Sequence, residues 1–134
     1  MKKLIYFVIM LLVSNCNYLY SQSGWMQQTS GVSVTLNKIF FVNSQTGWAV
    51  GDLGKIIRTT NGGANWVSQI SNTNEILRSV YFINDNTGWA VGGKYNYKTF
   101  SQVIILKTTN KGNTWVVKYS SPDFYNTLYS IWFI

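Results

Sequence analysis

The sequence repeats itself at a fixed interval of 41 residues. Leu36-Asn37-Lys38-Ile39-Phe40-Phe41-Val42, Asn43-Ser44-Gln45-Thr46 and Gly47-Trp48-Ala49-Val50-Gly51 return as Leu77-Arg78-Ser79-Val80-Tyr81-Phe82-Ile83, Asn84-Asp85-Asn86-Thr87 and Gly88-Trp89-Ala90-Val91-Gly92. A unit of this length is one supersecondary module, too small to bury its own apolar surface, so it must stack on its neighbours. A third copy of the opening stretch begins at Leu128 and runs to Ile134. Gly24-Trp25 stands 41 residues before Asn65-Trp66 and reads as the tail of a preceding unit.

Each unit reads as four strands. Leu36 to Val42 places Ile39 and Phe41 on one face and Phe40 and Val42 on the other, so both faces are expected to be covered. Trp48 to Gly51 follows a polar turn. Lys55 to Thr60 follows Asp52-Leu53-Gly54, a tight turn with a glycine for positive φ. The fourth strand runs from Trp66 to about Ile70. Units of this length with four short strands suit β-propeller blades packed face to face. The fold class is therefore all-β, with blade units at about 36–70 and 77–119 and a third beginning at 128. Closed propellers hold ~4–8 blades, so the chain is expected to be part of a longer propeller.

The last hairpin of each unit carries the clearest motif. Thr59-Thr60-Asn61-Gly62-Gly63-Ala64-Asn65-Trp66 recurs as Thr108-Thr109-Asn110-Lys111-Gly112-Asn113-Thr114-Trp115. Asn61-Gly62-Gly63 can adopt the positive φ angles of a tight turn. The Asn61 side chain can accept backbone N–H groups, and Thr59 can bond within the same loop. Trp66 and Trp115 are expected to fold back as apolar plugs. None of these groups is a nucleophile or a poised acid, so Thr59, Asn61, Gly63, Trp66, Thr108, Asn110, Gly112 and Trp115 are structural candidates.

This turn resembles the Asp box of bacterial neuraminidase (BNR) repeats: Ser/Thr, any, Asp, any, Gly, any, Thr, Trp. Asn61 and Asn110 occupy the aspartate position, and Asn65 replaces the second threonine that Thr114 keeps. Asparagine preserves the acceptor. The wider unit, with Gly-Trp-Ala-Val-Gly and Thr-Thr-Asn-Gly-Gly, is similar to the propellers of the photosystem II stability/assembly factor family, from about Gly24 to Ile134. That resemblance implies a non-enzymatic assembly factor that binds a membrane-protein precursor. The sialidases that share the Asp box imply an alternative, a glycoside hydrolase whose catalytic residues lie on other blades. Their chemistry needs an arginine triad and a tyrosine–glutamate pair. This sequence offers Arg58, Arg78 and one glutamate, Glu75.

Met1 to Ser21 reads as a secretory signal peptide, with Lys2 and Lys3 ahead of the apolar run Leu4 to Val13. Ten residues of helix span ~15 Å, short of a hydrocarbon core of ~30 Å. Cleavage after Ser21 leaves Gln22 first, and residues 22–134 form the partial propeller. An exported protein without a transmembrane segment in its mature chain is the expectation. A lipoprotein anchored through Cys16 is the rival, with Asn15 a poor residue before that cysteine.

The chain has no histidine and a single cysteine, Cys16, which excludes the commonest general base and metal ligand. The net charge is +7; without Lys2 and Lys3, nine basic residues against four acidic ones leave +5. This mild bias reads first as a solvated basic surface, and second as an aid to meeting anionic lipid, acidic glycan or an acidic protein; a protein or cell-surface partner is expected, its identity open. No basic run exists, and nucleic acid is not expected. Asp52 and Asp85 stand alone, which suits turn capping rather than calcium. No catalytic residue, cofactor or metal is expected. The repeat is broken once, by eight extra residues between the second and third strands of the second unit. There Lys94, Tyr95, Tyr97, Lys98 and Phe100 interleave charge with aromatic rings and are the candidate partner contacts.

Overall fold

The computed structural model describes residues 27–94, 101–123 and 126–134. Eight strands form two antiparallel sheets of four. The first holds β1 (Leu36–Phe41), β2 (Gly47–Gly51), β3 (Ile56–Thr59) and β4 (Val67–Gln69). The second holds β5 (Leu77–Phe82), β6 (Gly88–Lys94), β7 (Ser101–Thr108) and β8 (Val116–Asp123). Within each sheet the spatial order is the chain order. The expected strand ends agree to within a residue or two, except that β8 runs four residues beyond 119. The longer hairpin expected in the second unit is present as a seven-residue β6 and an eight-residue β7.

The register explains the recurring Gly-Trp pair. Phe40 lies opposite Trp48, and Phe41 opposite Gly47. Tyr81 lies opposite Trp89, and Phe82 opposite Gly88. Because strand residues alternate between faces, each blade has a front face with a phenylalanine over a glycine and a back face with a tryptophan. The back of the first blade packs on the front of the second. The Phe82 ring stacks on Trp48 at 3.6 Å between centroids and 14° between planes. On its own blade, Phe82 lies over Gly88, where an added Cβ would come within 2.6 Å of the ring. Trp48, Val50 and Ile56 from one blade meet Val80, Phe82, Ala90, Ile104, Leu106 and Trp115 from the other in a single buried cluster. Phe40 and Val42 close its margin.

Two expectations are corrected. The first strand was expected to be covered on both faces, yet Ile39 is 52% exposed and Phe41 is 39% exposed. They form the front of the first blade, and among the described residues no tryptophan-bearing back face lies against them. Their counterparts Val80 and Phe82, which have such a partner, are buried. Leu128 to Ile134 was expected to open a third blade as a strand, but it has no strand pairing. A strand needs a neighbour for its backbone bonds, and none lies beside it among the described residues. The segment nevertheless docks where a third blade would begin. Phe133 packs on Trp89 at 4.6 Å, repeating the Phe82–Trp48 contact. The Leu128 amide donates to the Gly92 carbonyl, and the Ile131 amide donates to the Ser79 hydroxyl.

The tryptophans divide in the same way. Trp48 and Trp115 are fully buried, whereas Trp66 and Trp89 are half-buried. Trp115→Ala should cost about 3–5 kcal/mol, as for a large core aromatic, and Trp66→Ala only about 1–2 kcal/mol. Urea unfolding of the two variants checks the order; equal losses would contradict this account of the packing.

Candidate functional site

The two tryptophan-terminated turns are built alike. In the first, the Thr59 hydroxyl donates to Asn61 Oδ1 at 3.0 Å and accepts the Gly63 amide at 2.9 Å. Asn61 Oδ1 also accepts the Asn65 amide at 2.9 Å. In the second, Thr108 and Asn110 make the same bonds to Gly112 and Thr114. There Asn110 Nδ2 also donates to Thr114 Oγ1 at 2.9 Å. Both threonines are buried. Gly63 and Gly112 have φ of 93° and 82°, as the turn requires. The position before each is also left-handed, Gly62 in one copy and Lys111 in the other. Every side chain here satisfies backbone groups, so the turns are scaffold.

Against each turn glycine lies a glutamine of the preceding segment, a pair that sequence reasoning missed, and Gln69 is bonded to its turn. A Cβ on Gly112 would come within 2.1 Å of Gln69 Oε1, and one on Gly63 would come equally close to Gln28 Oε1. Gln69 Nε2 donates to the Lys111 carbonyl at 3.2 Å, and its Oε1 accepts the Trp115 indole N–H at 3.4 Å. The Trp48 indole N–H donates to the same Lys111 carbonyl. The signal was available: Gln28 and Gln69 each stand three residues after a tryptophan and 41 residues apart.

The candidate partner residues are only partly placed. Lys94 ends β6 and is exposed. Tyr95, Tyr97, Lys98 and Phe100 lie outside the described residues. Asp52 Oδ1 accepts the Asn37 amide at 3.0 Å, and Asp85 Oδ1 accepts the Asn43 amide at 3.4 Å. Among the described residues, no group of three potential ligands gathers around a metal position. The Arg58 guanidinium lies over the Trp48 ring at 5.6 Å, and Arg78 lies over Tyr129 at 4.9 Å. Lys107, the repeat counterpart of Arg58, lies over Trp89 at 4.9 Å. Arg58 and Lys107 thus cover the back-face rings of their blades.

Concave surface occurs in at least three regions among the described residues, one of them a cleft of about 340 Å³ over the front of the first blade that includes Gln28, Lys38, Ile39 and Trp66. An outer groove of about 410 Å³ runs between β4 and the second turn and includes Arg58, Asn65, Gln69 and Asn113. On the side carrying the β2–β3 turn and the β4–β5 connection, two clefts share Leu53 and Asn74 as a common ridge. One, about 370 Å³, includes Lys55 and Ile70. The other, about 330 Å³, includes Asp52, Ile76 and Lys94. Leu53 has φ 55°, unusual for a residue other than glycine.

Consecutive four-stranded antiparallel blades in a 41-residue repeat, stacked ring on ring, define a BNR-repeat β-propeller. The chain belongs to the family described as photosynthesis system II assembly factor YCF48, whose model matches residues 18–124. Among solved structures it is similar to one described as YCF48 bound to D1 peptide, at 25% identity and a TM-score of 0.55. That match covers 72% of this chain and 29% of the other, so the chain spans under a third of that protein's length. No curated protein matches the chain. No described helix is long and apolar enough to cross a membrane.

The turn geometry makes two variants informative. Asn61→Asp keeps the acceptor and should change stability by no more than about 0.5 kcal/mol. Thr108→Val leaves the Asn110 and Gly112 amides without their acceptor and should cost about 1–3 kcal/mol. Thermal melts of the two variants distinguish a scaffold turn from a passive loop, which would show no difference.

Proposed function

We propose that this chain is a non-enzymatic propeller module that is exported and binds a peptide segment of a partner protein. The carrying observation is its likeness to YCF48 bound to D1 peptide, together with its membership of that assembly-factor family. The geometry supports binding over catalysis. The turn residues are engaged in backbone bonds, and both arginines lie over aromatic rings rather than converging on a common point. Concave surface with mixed apolar and polar walls is what peptide recognition uses. Export rests on the leader read at residues 1–21, with Lys2, Lys3 and the apolar run after them.

Fluorescence anisotropy with a labelled D1 peptide and its scrambled counterpart tests the reading. The D1 peptide should bind and the scrambled one should not. Equal affinity for the two, or hydrolysis of a fluorogenic sialoside by the purified chain, would overturn it. Mass spectrometry of the protein from a secreting host should find Gln22 at the N-terminus, and a lipid adduct on Cys16 would correct the anchoring.

A further inference from the structure

We propose that the two clefts flanking the Leu53–Asn74 ridge are the seat of the partner peptide, and that this peptide is acidic, with carboxylates on either side of an apolar side chain. The inference rests on the peptide-binding function proposed above and gives it a place and a partner chemistry.

Leu53 carries the argument. It is 66% exposed and held in the left-handed region, φ 55°. A leucine there is unfavourable through its Cβ, and a glycine or asparagine would cap the turn without strain. An apolar side chain held at a turn tip against both its backbone preference and its hydration marks a contact surface. Ile70, 74% exposed, stands in the same cleft as Leu53. The two make an apolar step across which an extended chain can lay a leucine-like side chain.

The charges beside this step are mainly positive, two lysines against one aspartate. Lys55 stands in one cleft and Lys94 in the other, and neither ammonium is paired among the described residues. Asp52 also lies in the Lys94 cleft; the Asn37 side-chain amide orients its carboxylate without removing its charge, so the Lys55 cleft is the more cationic of the two. Glu75 lines neither cleft. An acidic side chain on each side of the apolar step therefore meets a cation, and the net +5 that remains without Lys2 and Lys3 favours the approach of such a peptide. The outer groove is the weaker candidate. Its one cation, Arg58, already lies over Trp48, and Gln69 there is bonded to Lys111 and Trp115.

The test uses labelled short peptides alternating glutamate with leucine, or lysine with leucine, beside the D1 peptide. The glutamate–leucine peptide should bind and shift the backbone amides of Leu53, Lys55, Asn74 and Lys94 in ¹⁵N spectra. The lysine–leucine peptide should not bind. Lys55→Glu/Lys94→Glu should weaken binding by about tenfold or more, a loss of roughly 1.4 kcal/mol or greater. Leu53→Gly should raise the melting temperature while weakening binding severalfold, a combination that a merely structural leucine would not give. Unchanged binding by both variants, or shifts confined to Arg58, Asn65 and Asn113, would overturn this seat. Binding of the D1 peptide without the glutamate–leucine peptide would overturn the acidic partner and leave the peptide-binding function standing. Failure of both peptides to bind would overturn both.

Discussion

The structure depends on one contact, the stacking of Phe82 on Trp48 across the two blades. Its geometry is set by the alternation of a strand. Gly88 leaves a gap on the front face into which the Phe82 ring drops, and its neighbour Trp89 projects from the back. The same pair one unit earlier gives Gly47 and Trp48. A blade is thereby made directional: its front can only receive a back. The segment after Thr127 obeys the same rule, setting Phe133 on Trp89 without forming a strand. Side-chain stacking thus seats this segment on the second blade without strand pairing.

Polar groups reinforce this stack at its outer margin. Trp48 and Gln69 of the first blade both donate to the Lys111 carbonyl of the second blade's turn. The Trp115 indole donates back to Gln69. The turn is internally rigid because buried Thr108 and exposed Asn110 accept its backbone amides. A rigid turn offers a carbonyl at a fixed point, which is why one carbonyl can serve two donors from the neighbouring blade. Each tryptophan therefore acts twice, as an apolar surface and as an indole N–H donor.

Most of this was legible in the sequence because it is periodic. The 41-residue interval gave the blades, the Gly-Trp and Thr-Thr-Asn patterns gave their strands and turns, and the break in the repeat located the long β6–β7 hairpin. Periodicity does not say which face meets which. Leu36 to Val42 is apolar on both faces whether or not a neighbour is present, so the exposure of Ile39 and Phe41 was invisible. Gln69, the last residue of β4, was missed although Gln28 precedes it by the repeat interval, because a strand glutamine has many uses and its seat against Gly112 shows only in the fold. The left-handed Leu53 was missed because Asp52-Leu53-Gly54 reads as a turn whose glycine suffices, whereas the backbone uses two consecutive left-handed residues there.

Where the repeat is strict, its residues have little freedom to recognise anything else. The front and back faces of each blade are committed to stacking, and the outer margin is committed to joining turns to blades. The side carrying the β2–β3 turn and the β4–β5 connection is less constrained: Asn72 there donates to the Trp115 carbonyl and Asn37 joins Asp52 to the Leu77 carbonyl, while Leu53 and Ile70 stay exposed. It is also where the two blades differ most: a three-residue turn with an exposed leucine in the first, and a long hairpin rising from Lys94 in the second. A scaffold of near-identical units can acquire specificity only where the units are allowed to diverge. Divergence, exposed apolar surface and unpaired cations coincide on this side of the molecule.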